Sequence, residues 1–357
     1  MSSTVHSIYF DNSCSMTSVN DKSIDLIITS PPYPMIEMWD ELFFEINPGI
    51  KEFFGKHNFY DAFNLMHEEL NKTWKECERV LKDGGLICIN IGDATRTLNK
   101  NFQLWSNHTI INYYFIHQLK LHPLPVILWR KSTNKPNKFM GSGMLAPNAY
   151  VTLEHEYILI FRKGNKRIVN DNINRYQSAY FWEERNNWFS DIWFDLKGIK
   201  QNTNGNSEEI RERSGAFPLE LAYRLINMYS IYHDTILDPF WGTGTSSIAA
   251  MISKRNSIGY ELNKYFTSIF ENTFKRIKNI SHTNNTERYL RHIEFIEGRK
   301  EKPKHKNIHY GFDVITSQEK QIKFSSIITA NDVNKDTYEI KYIDYKFDVE
   351  RQTNLLF

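Results

Sequence analysis

The chain has 357 residues, of which 41% are hydrophobic and 14% aromatic. This composition excludes a disordered chain, and the length allows one large domain together with a smaller one. The first 13 residues lack the basic and apolar segments of a signal peptide, and no apolar run approaches the roughly 18 residues that span a bilayer. The three cysteines (Cys14, Cys77 and Cys88) form no CxxC pair, which argues against a disulfide framework and a zinc cluster. We therefore expect a cytoplasmic globular protein without a metal site.

The distribution of charge is more informative than the net charge, which is only +2. Between residues 94 and 153 the chain has no Asp or Glu, and its cations alternate with aromatic residues. These cations are Arg96, Lys100, Lys120, Arg130, Lys131, Lys135 and Lys138. A one-signed surface could contact DNA phosphates, with Arg130, Lys131, Lys135 and Lys138 as the candidate residues. The alternative is a solvated surface that happens to lack acids.

The first predicted strand, residues 25–29, is apolar and β-branched and ends at Ser30-Pro31-Pro32-Tyr33. Two adjacent prolines have no N–H and fix the backbone, so that nearby carbonyls can accept hydrogen bonds. The ring of Tyr33 offers a flat surface on which a planar base can stack. The hydroxyl of Ser30 and the carbonyl of Pro31 could together accept from an exocyclic amino group. The alternative is a Pro-Pro turn that closes a strand, with Tyr33 simply packed.

Further elements alternate between helix and strand. Apolar spacing predicts a helix over residues 59–81, and a turn at residues 82–85 leads into a buried strand over residues 86–91. Two more strands are expected at residues 126–129 and 157–161. This alternation predicts an α/β fold with a mostly parallel sheet that is covered on both faces.

The second distinctive loop follows a predicted strand that ends in Asp238. The glycines of Gly242-Thr243-Gly244 allow the backbone to approach a ligand closely, and Glu261 ends the next strand, where an acid can bind ribose hydroxyls. Ser247 stands where the dinucleotide fingerprint has a third glycine. The pattern therefore favours a nucleoside cofactor without a pyrophosphate over NAD, and the alternative is a tight turn of no chemical meaning.

The chain divides into four predicted parts. Residues 163–213 are polar and rich in Asn, which predicts an irregular insertion, and the composition changes again after residue 280 towards a small β-rich appendage. The predicted parts are a catalytic half (1–163), the insertion (164–213), a cofactor-binding half (214–280) and the C-terminal appendage (281–357).

Together the two loops resemble those of the amino-methylating DNA methyltransferases. Because the loop at Ser30 precedes the loop at Asp238, the resemblance is to their beta group, and it extends over most of residues 8–280. It implies a Rossmann-like methyltransferase fold with a seven-stranded, mostly parallel sheet in permuted order, and S-adenosyl-L-methionine as cofactor. The residues that match the family's cofactor-binding positions are Asp11, Phe217, Pro218, Asp238, Pro239, Phe240, Gly242, Gly244, Thr245 and Glu261, of which Asp11 is a loose match and Trp241 beside them is unusual.

The resemblance also implies the reaction. Methyl would pass directly to the amino nitrogen of a base flipped out of duplex DNA, as methyltransferases require. Ser30, Pro31, Pro32 and Tyr33 match the family's catalytic motif, and the insertion falls where the family carries much of its sequence recognition. Serine at position 30, with the segments at residues 186–193 and 211–215, is similar to cytosine-N4 enzymes, and adenine N6 is the alternative target. A cognate restriction endonuclease is the family's usual partner.

Other functions are less compatible with the sequence. Methylation at cytosine C5 needs a cysteine nucleophile after a proline, and none of the three cysteines follows one. Methylation of RNA or of protein amides would use the same two loops, but the acid-free stretch and the long insertion favour a partner of the size of duplex DNA. A nucleic-acid-binding protein without catalysis would not need both loops. The C-terminal part could hold a nuclease, although Asp313, Asp332 and Asp336 are more simply interpreted as solvated surface residues.

Overall fold

A computed structural model of the chain describes residues 2–131, 140–197 and 217–347. Its strands are β1 (Ser2–Tyr9), β2 (Ile24–Thr29), β3 (Leu81–Ile91), β4 (Ala94–Leu98), β5 (Asn101–Trp105), β6 (His122–Pro123), β7 (Ile127–Arg130), β8 (Met140–Gly141), β9 (Ala149–Tyr150), β10 (His155–Arg162), β11 (Ile192–Trp193), β12 (Thr235–Asp238), β13 (Asn256–Tyr260), β14 (His305–Lys306), β15 (Asp313–Val314), β16 (Ser325–Asn334) and β17 (Thr337–Asp344).

The helices lie between these strands. They are α1 (Asp40–Ile46), α2 (Pro48–Gly55), α3 (Phe59–Val80), α4 (Asn107–Tyr113), α5 (Asn172–Gln177), α6 (Trp182–Trp188), α7 (Leu219–Tyr229), α8 (Thr245–Ile252), α9 (Phe266–Phe274) and α10 (Ile277–Glu297). Short 3-10 helices occupy Glu37–Trp39 and Ser317–Gln321, and a π-helical turn occupies Tyr114–Gln118. No helix in the described ranges is long and apolar enough to cross a membrane.

One large sheet forms the centre of the molecule. Its main part has the strand order β7-β10-β3-β2-β12-β13-β1, in which the last five strands are parallel and β10 is antiparallel to both of its neighbours. The predicted mostly parallel α/β sheet is therefore confirmed, and so is its permuted order, because β2, which carries the catalytic loop, comes before β12, which carries the cofactor loop. The sheet has eleven strands in place of the predicted seven, because β6, β11, β16 and β17 extend it.

The strands of the sheet centre are apolar because helices cover both faces. All six residues of β2 are buried, which explains its continuous run of Leu and Ile without alternation. On one face the core includes Leu221 of α7 and Ile248 of α8. On the other face it includes Trp74 of α3 and Phe115 of the π-helical turn. The carboxyl ends of the parallel strands remain free for a site between these two layers.

The C-terminal part of the chain extends the same sheet. Strand β17 pairs antiparallel with β1, with Glu339 opposite Val5, and β16 pairs antiparallel with β17. Helix α10 runs through residue 280, so the boundary predicted there lies inside a helix. This part contains β-strands, as predicted, and β17 and β16 add two strands to the central sheet beside β1.

The described part of the predicted insertion, residues 164–197, contains α5, α6 and β11. Strand β11 joins the sheet beside β7 in parallel. Helix α6 contacts α10 through two pairs, Glu184 with Arg288 at 2.6 Å and Glu183 with His292 at 2.8 Å. Buried pairs of this kind fix the orientation of two elements, so the insertion is tied to the C-terminal part. Residues 198–213 of the prediction lie outside the described ranges.

Candidate active site

The two loops singled out in the sequence lie side by side at one edge of the sheet. Strand β2 ends at Thr29 beside β12, which ends at Asp238, and Leu26 pairs with Ile236 across them. The chain leaves β2 towards β3 on one side and leaves β12 towards β13 on the other. A crevice opens where strand order diverges in this way, and ligands of α/β sheets bind there, outside the carboxyl ends of the strands.

A cavity of about 460 Å³ occupies this crevice. Its volume lies in the range of small-molecule sites. It is lined by most of the predicted catalytic and cofactor residues, namely Asp11, Ser30, Pro31, Pro32, Tyr33, Phe217, Asp238, Pro239, Phe240, Gly242, Thr245 and Glu261. The two predicted residues that do not line the cavity are Pro218 and Gly244. They stand directly before the first turns of α7 and α8. The structure thus brings the two motifs, about 210 residues apart in the chain, into one site.

Part of the lining was missed in the sequence. Met38, Leu42 and Ile46, from the 3-10 helix and α1, present apolar side chains to the cavity, and Glu156 from β10 presents a carboxylate. The apolar residues directly after Tyr33 could have indicated the role of Met38, Leu42 and Ile46. Glu156 had no such signal, because it is the second residue of a strand far from either motif.

Asp238 is buried and braces the site. Its carboxylate accepts from the hydroxyl of Thr29 at 2.7 Å, from the hydroxyl of Ser246 at 2.7 Å and from the backbone N–H of Phe240 at 3.1 Å. Burial raises the pKa of Asp238 to about 6, against the effect of these hydrogen bonds. The carboxylate therefore links the ends of β2 and β12 with the start of α8.

Glu261 shapes the glycine loop. One carboxylate oxygen accepts from the N–H of Gly242 at 2.9 Å and the other from the N–H of Asn263 at 2.9 Å. Burial raises the pKa of Glu261. At Gly242 the backbone has φ +52°, and a side chain there would meet only the carbonyl of Phe240, at 3.9 Å. The loop thus leaves open space against its backbone, bounded by a carboxylate with unused lone pairs, and these features fit the ribose and base of a nucleoside cofactor.

Trp241 explains the loop's departure from the usual pattern. Its indole is buried and donates to the hydroxyl of Ser247 at 2.8 Å. The ring covers Gly244 and Gly259, where a Cβ would be less than 3 Å from indole atoms. Ser247, at the position of the absent third glycine, therefore serves as the partner of Trp241.

Tyr33 is held through its hydroxyl. The hydroxyl accepts from Ser30 at 3.1 Å and from the side-chain amide of Asn90 at 2.9 Å, and it donates to the carboxylate of Glu156 at 3.0 Å. The ring edge packs over Gly92, where a Cβ would be 3.0 Å from it. Burial and the neighbouring Glu156 raise the pKa of Tyr33 well above its ordinary value. The ring is thus fixed in orientation and stays neutral.

A second clamp holds the end of the catalytic loop. The buried side chain of Asn107 donates to the carbonyls of Pro34 at 3.1 Å and Gly92 at 3.0 Å. Its amide oxygen therefore accepts from Nε2 of His67, at 3.0 Å. Burial lowers the pKa of His67 to about 4, which keeps the ring neutral near pH 7. Pro34, directly after Tyr33, is thereby tied to Gly92, against which the ring of Tyr33 packs.

The basic stretch is less free than its sequence indicated. Arg96 forms a two-pronged pair with Asp40, Arg130 pairs with Glu154 at 2.8 Å, and Lys131 pairs with Glu156. Acids from outside the stretch thus neutralise part of it, and Lys131 lies at the cavity, 4.7 Å above the ring of Trp129. Lys135 and Lys138 lie outside the described ranges. The contact of Arg130, Lys131, Lys135 and Lys138 with DNA stays a prediction.

The acids that a nuclease would need and the cysteines that a C5 methyltransferase would need are dispersed or buried. Asp313 pairs with Lys306 at 3.5 Å, while Asp332 and Asp336 lie in the β16–β17 hairpin. Within the described residues no three His, Cys, Asp or Glu side chains are grouped to hold a metal ion. Cys77 and Cys88 are buried, and burial raises the pKa of both thiols, whereas Cys14 is half-buried. Buried thiols with a raised pKa, such as those of Cys77 and Cys88, are poor nucleophiles.

Comparisons with known proteins agree with this geometry. A family model for DNA methylases, N6_N4_Mtase, matches residues 24–272. The type II methyltransferase M.MthZI of Methanothermobacter thermautotrophicus is 49% identical over 99% of both chains. M.MjaI of Methanocaldococcus jannaschii, also a type II methyltransferase, is 49% identical over 75% of this chain and 90% of its own.

Solved structures show the same fold. TTHA0409 of Thermus thermophilus, complexed with S-adenosyl-L-methionine, superposes with a TM-score of 0.59 at 28% identity, over 76% of this chain and 95% of its own. The cytosine-N4-specific PvuII DNA methyltransferase superposes with a TM-score of 0.50 at 16% identity, over 78% and 91%, which shows the fold alone. On the family match and the relatives at 49% identity, the chain belongs to the N6/N4 DNA methylase family.

Proposed function

We propose that the chain is a site-specific DNA methyltransferase that transfers methyl from S-adenosyl-L-methionine to N4 of a cytosine flipped out of duplex DNA. The observation that carries this proposal is the shared cavity, in which the Ser30–Tyr33 loop faces the glycine loop and Glu261. Such a cavity places an amino group and a methyl donor next to each other and away from bulk water.

The cofactor would be held by the half of the cavity formed by β12 and β13. Glu261 has lone pairs left for ribose hydroxyls, Gly242 allows close approach, and Phe217, Phe240 and Asp11 line the same space. When bound, the cofactor supplies a methyl group activated on sulfonium. Asp238 acts through the loop that it braces, since its carboxylate is occupied by Thr29 and Ser246.

The base would be held by the half formed by the catalytic loop. The fixed ring of Tyr33 supplies a stacking surface, and a flipped base costs a few kcal/mol of unstacking that stacking helps to offset. Because the hydroxyl proton of Ser30 points to Tyr33, the lone pairs of Ser30 Oγ are available to an amino group. Together with the carbonyl of Pro31 they would orient that nitrogen for attack.

Cytosine N4 is favoured over adenine N6 by the neutral serine at position 30, since cytosine-N4 enzymes resemble this chain there. Adenine N6 is the alternative target, at the same site and by the same geometry. The two relatives at 49% identity are type II methyltransferases. This supports a place in a restriction-modification system, with a cognate endonuclease acting on the same sequence in the cytoplasm.

Recognition of the sequence would come from residues 164–213, whereas the basic stretch would hold the duplex. Arg130, Lys131, Lys135 and Lys138 would contact phosphates, which position the duplex without reading its sequence. The pair of Arg130 with Glu154 would then have to open when DNA binds, and Lys131 would be shared between a phosphate and Glu156.

The test is to incubate the protein with bacterial DNA and labelled S-adenosyl-L-methionine, digest the DNA to nucleosides and identify the labelled base by mass spectrometry. We expect N4-methylcytosine, with the label reduced by Ser30→Ala and by Tyr33→Ala. Label in N6-methyladenine would agree with the proposed mechanism but would refute cytosine as the target base. Absence of label on DNA, with cofactor binding intact, would refute the DNA substrate.

A further inference from the structure

Ser30, Tyr33 and Glu156 form one continuous chain of hydrogen bonds. The hydroxyl of Ser30 lies 3.1 Å from that of Tyr33, and the hydroxyl of Tyr33 lies 3.0 Å from Oε2 of Glu156. All three residues line the cavity. The chain begins at the atom proposed to accept from the target amino group and ends at a carboxylate.

The direction of these bonds follows from their other partners. Asn90 donates to the Tyr33 hydroxyl at 2.9 Å and to Oε2 of Glu156 at 2.7 Å. Because the Tyr33 oxygen accepts from Asn90 and Ser30, its own proton is directed to Glu156. The raised pKa of Tyr33 keeps this proton on the ring oxygen. Both hydroxyl protons of this hydrogen-bond chain therefore point along it towards Glu156.

Amino methylation needs an acceptor for one proton. The nitrogen gains a methyl group and must lose one of its two hydrogens to end as a neutral N-methyl amine. Much of the lining around the catalytic loop is apolar, including Met38, Leu42 and Ile46, so water is a poor acceptor there. A positioned carboxylate that is reached through hydroxyls can take this role.

We propose that Glu156 receives the proton that the target amino group loses, by a relay through Ser30 and Tyr33. The N–H bond breaks as a bond forms to Ser30 Oγ, the Ser30 proton passes to the Tyr33 oxygen, and the Tyr33 proton passes to Glu156. Each hydroxyl ends with one proton, and Glu156 becomes a neutral carboxylic acid that later releases its proton to solvent. The relay rests on the proposed amino methylation and applies to cytosine and adenine alike.

Glu156 is held for this role from two sides. Lys131, directly after β7, pairs with its other carboxylate oxygen, and Asn90 of β3 fixes Oε2. Lys131 and Tyr33 are the charged and titratable groups that contact Glu156 among the described residues. The further titratable groups that line the same cavity are Asp11, Cys14, Glu69, Asp238, Tyr260 and Glu261. Glu156 is thus a positioning residue that acts through Tyr33.

The first test is the single-turnover methylation rate on duplex DNA, measured together with the affinity for that DNA. Glu156→Gln keeps the shape and a hydrogen-bonding side chain but cannot accept a proton, so it should lower the rate at least about tenfold while the affinity for DNA stays unchanged. Glu156→Asp keeps a carboxylate and should recover part of the rate. Glu68→Gln, the same change on the exposed side of α3, should keep the wild-type rate.

The second test is a double-mutant cycle. Tyr33→Phe keeps the stacking ring and interrupts the relay, so the double variant with Glu156→Gln should be no slower than the slower single variant. Fully additive losses, or an unchanged rate in Glu156→Gln, would overturn the relay while leaving DNA methylation in place. Cofactor affinity, measured by calorimetry, should be unchanged in Glu156→Gln, which separates the relay from a general loss of structure. Lack of DNA methylation by the wild-type protein would overturn the proposed function and the relay with it.

Discussion

The hydroxyl of Thr29 donates to the buried carboxylate of Asp238 at 2.7 Å. Thr29 is the last residue of β2 and directly precedes the catalytic loop, whereas Asp238 is the last residue of β12 and directly precedes the cofactor loop. This bond therefore joins the two chemical halves of the site at the point where their strands end. It also explains why both loops keep a fixed separation although they are distant in the chain.

Thr29→Val should weaken both halves at once. Valine has nearly the same shape but no hydroxyl, and a hydrogen bond to a charged group contributes about 1.5–3 kcal/mol. We expect a loss of about 2 kcal/mol in the free energy of unfolding and weaker binding of S-adenosyl-L-methionine. Urea denaturation and calorimetric titration measure the two effects. Thr29→Ser keeps the hydroxyl and should stay near wild type in cofactor affinity; equal losses in both variants would contradict a role for the bond.

Asp238 should make stability depend on pH. Burial raises its pKa to about 6, above the roughly 4 of an exposed aspartate. For a carboxyl whose pKa is raised by folding, the stabilising contribution is complete below about pH 4 and is lost as the pH rises through about 6. The difference in pKa corresponds to about 3 kcal/mol.

Asp238→Asn removes this titration, so the comparison isolates Asp238. Between pH 7 and pH 4, the wild-type protein should gain stability relative to Asp238→Asn by up to about 3 kcal/mol. Urea denaturation of both proteins at pH 7, 5.5 and 4 measures the difference. If the difference in stability between the two proteins stays constant from pH 7 to pH 4, burial does not raise the pKa of Asp238.

Much of the fold and of the site was predictable from the sequence, for a physical reason. Buried parallel strands are continuous apolar runs, and residues 25–29 and 86–91 show this directly. In contrast, β1 was not predicted, because it buries polar side chains. Thr4 bonds to Tyr342 at 2.8 Å and His6 to Ser257 at 2.8 Å, contacts that exist only after folding.

The parts of the site that were missed depend on contacts distant in sequence. Glu156 reaches Tyr33 from 123 residues away, and Asn107 reaches Pro34 from 73 residues away. Neither residue belongs to a local motif, so no spacing in the sequence indicates its role. The pairing of Lys131 with Glu156 likewise needed the β7–β10 pairing to be known.

Glu261→Gln should reduce cofactor affinity more than it reduces stability. One carboxylate oxygen of Glu261 accepts from the N–H of Gly242 and the other from the N–H of Asn263. In glutamine an NH2 group replaces one of these oxygens, so that one backbone N–H would face another donor and lose its hydrogen bond. We expect the Kd for S-adenosyl-L-methionine to rise at least about tenfold, which corresponds to about 1.4 kcal/mol. Glu271→Gln on the exposed side of α9 is the matched control and should bind as the wild type does. Unchanged affinity in Glu261→Gln would remove Glu261 from the cofactor site.

Gly259→Ala should test whether Trp241 needs the space that it occupies. A Cβ at Gly259 would overlap the indole, and overpacking of a core costs about 1–3 kcal/mol. Gly55→Ala is the matched control, because a Cβ there meets nothing within 4 Å at the end of α2, and it should be neutral or slightly stabilising. Urea denaturation of both variants measures the change.

Adding Trp241→Leu to Gly259→Ala removes the overlap, so the double variant should lose less stability than the sum of the two single changes. Additive losses would mean that the indole and the glycine do not share one packing constraint, and that the tryptophan in this loop has another cause.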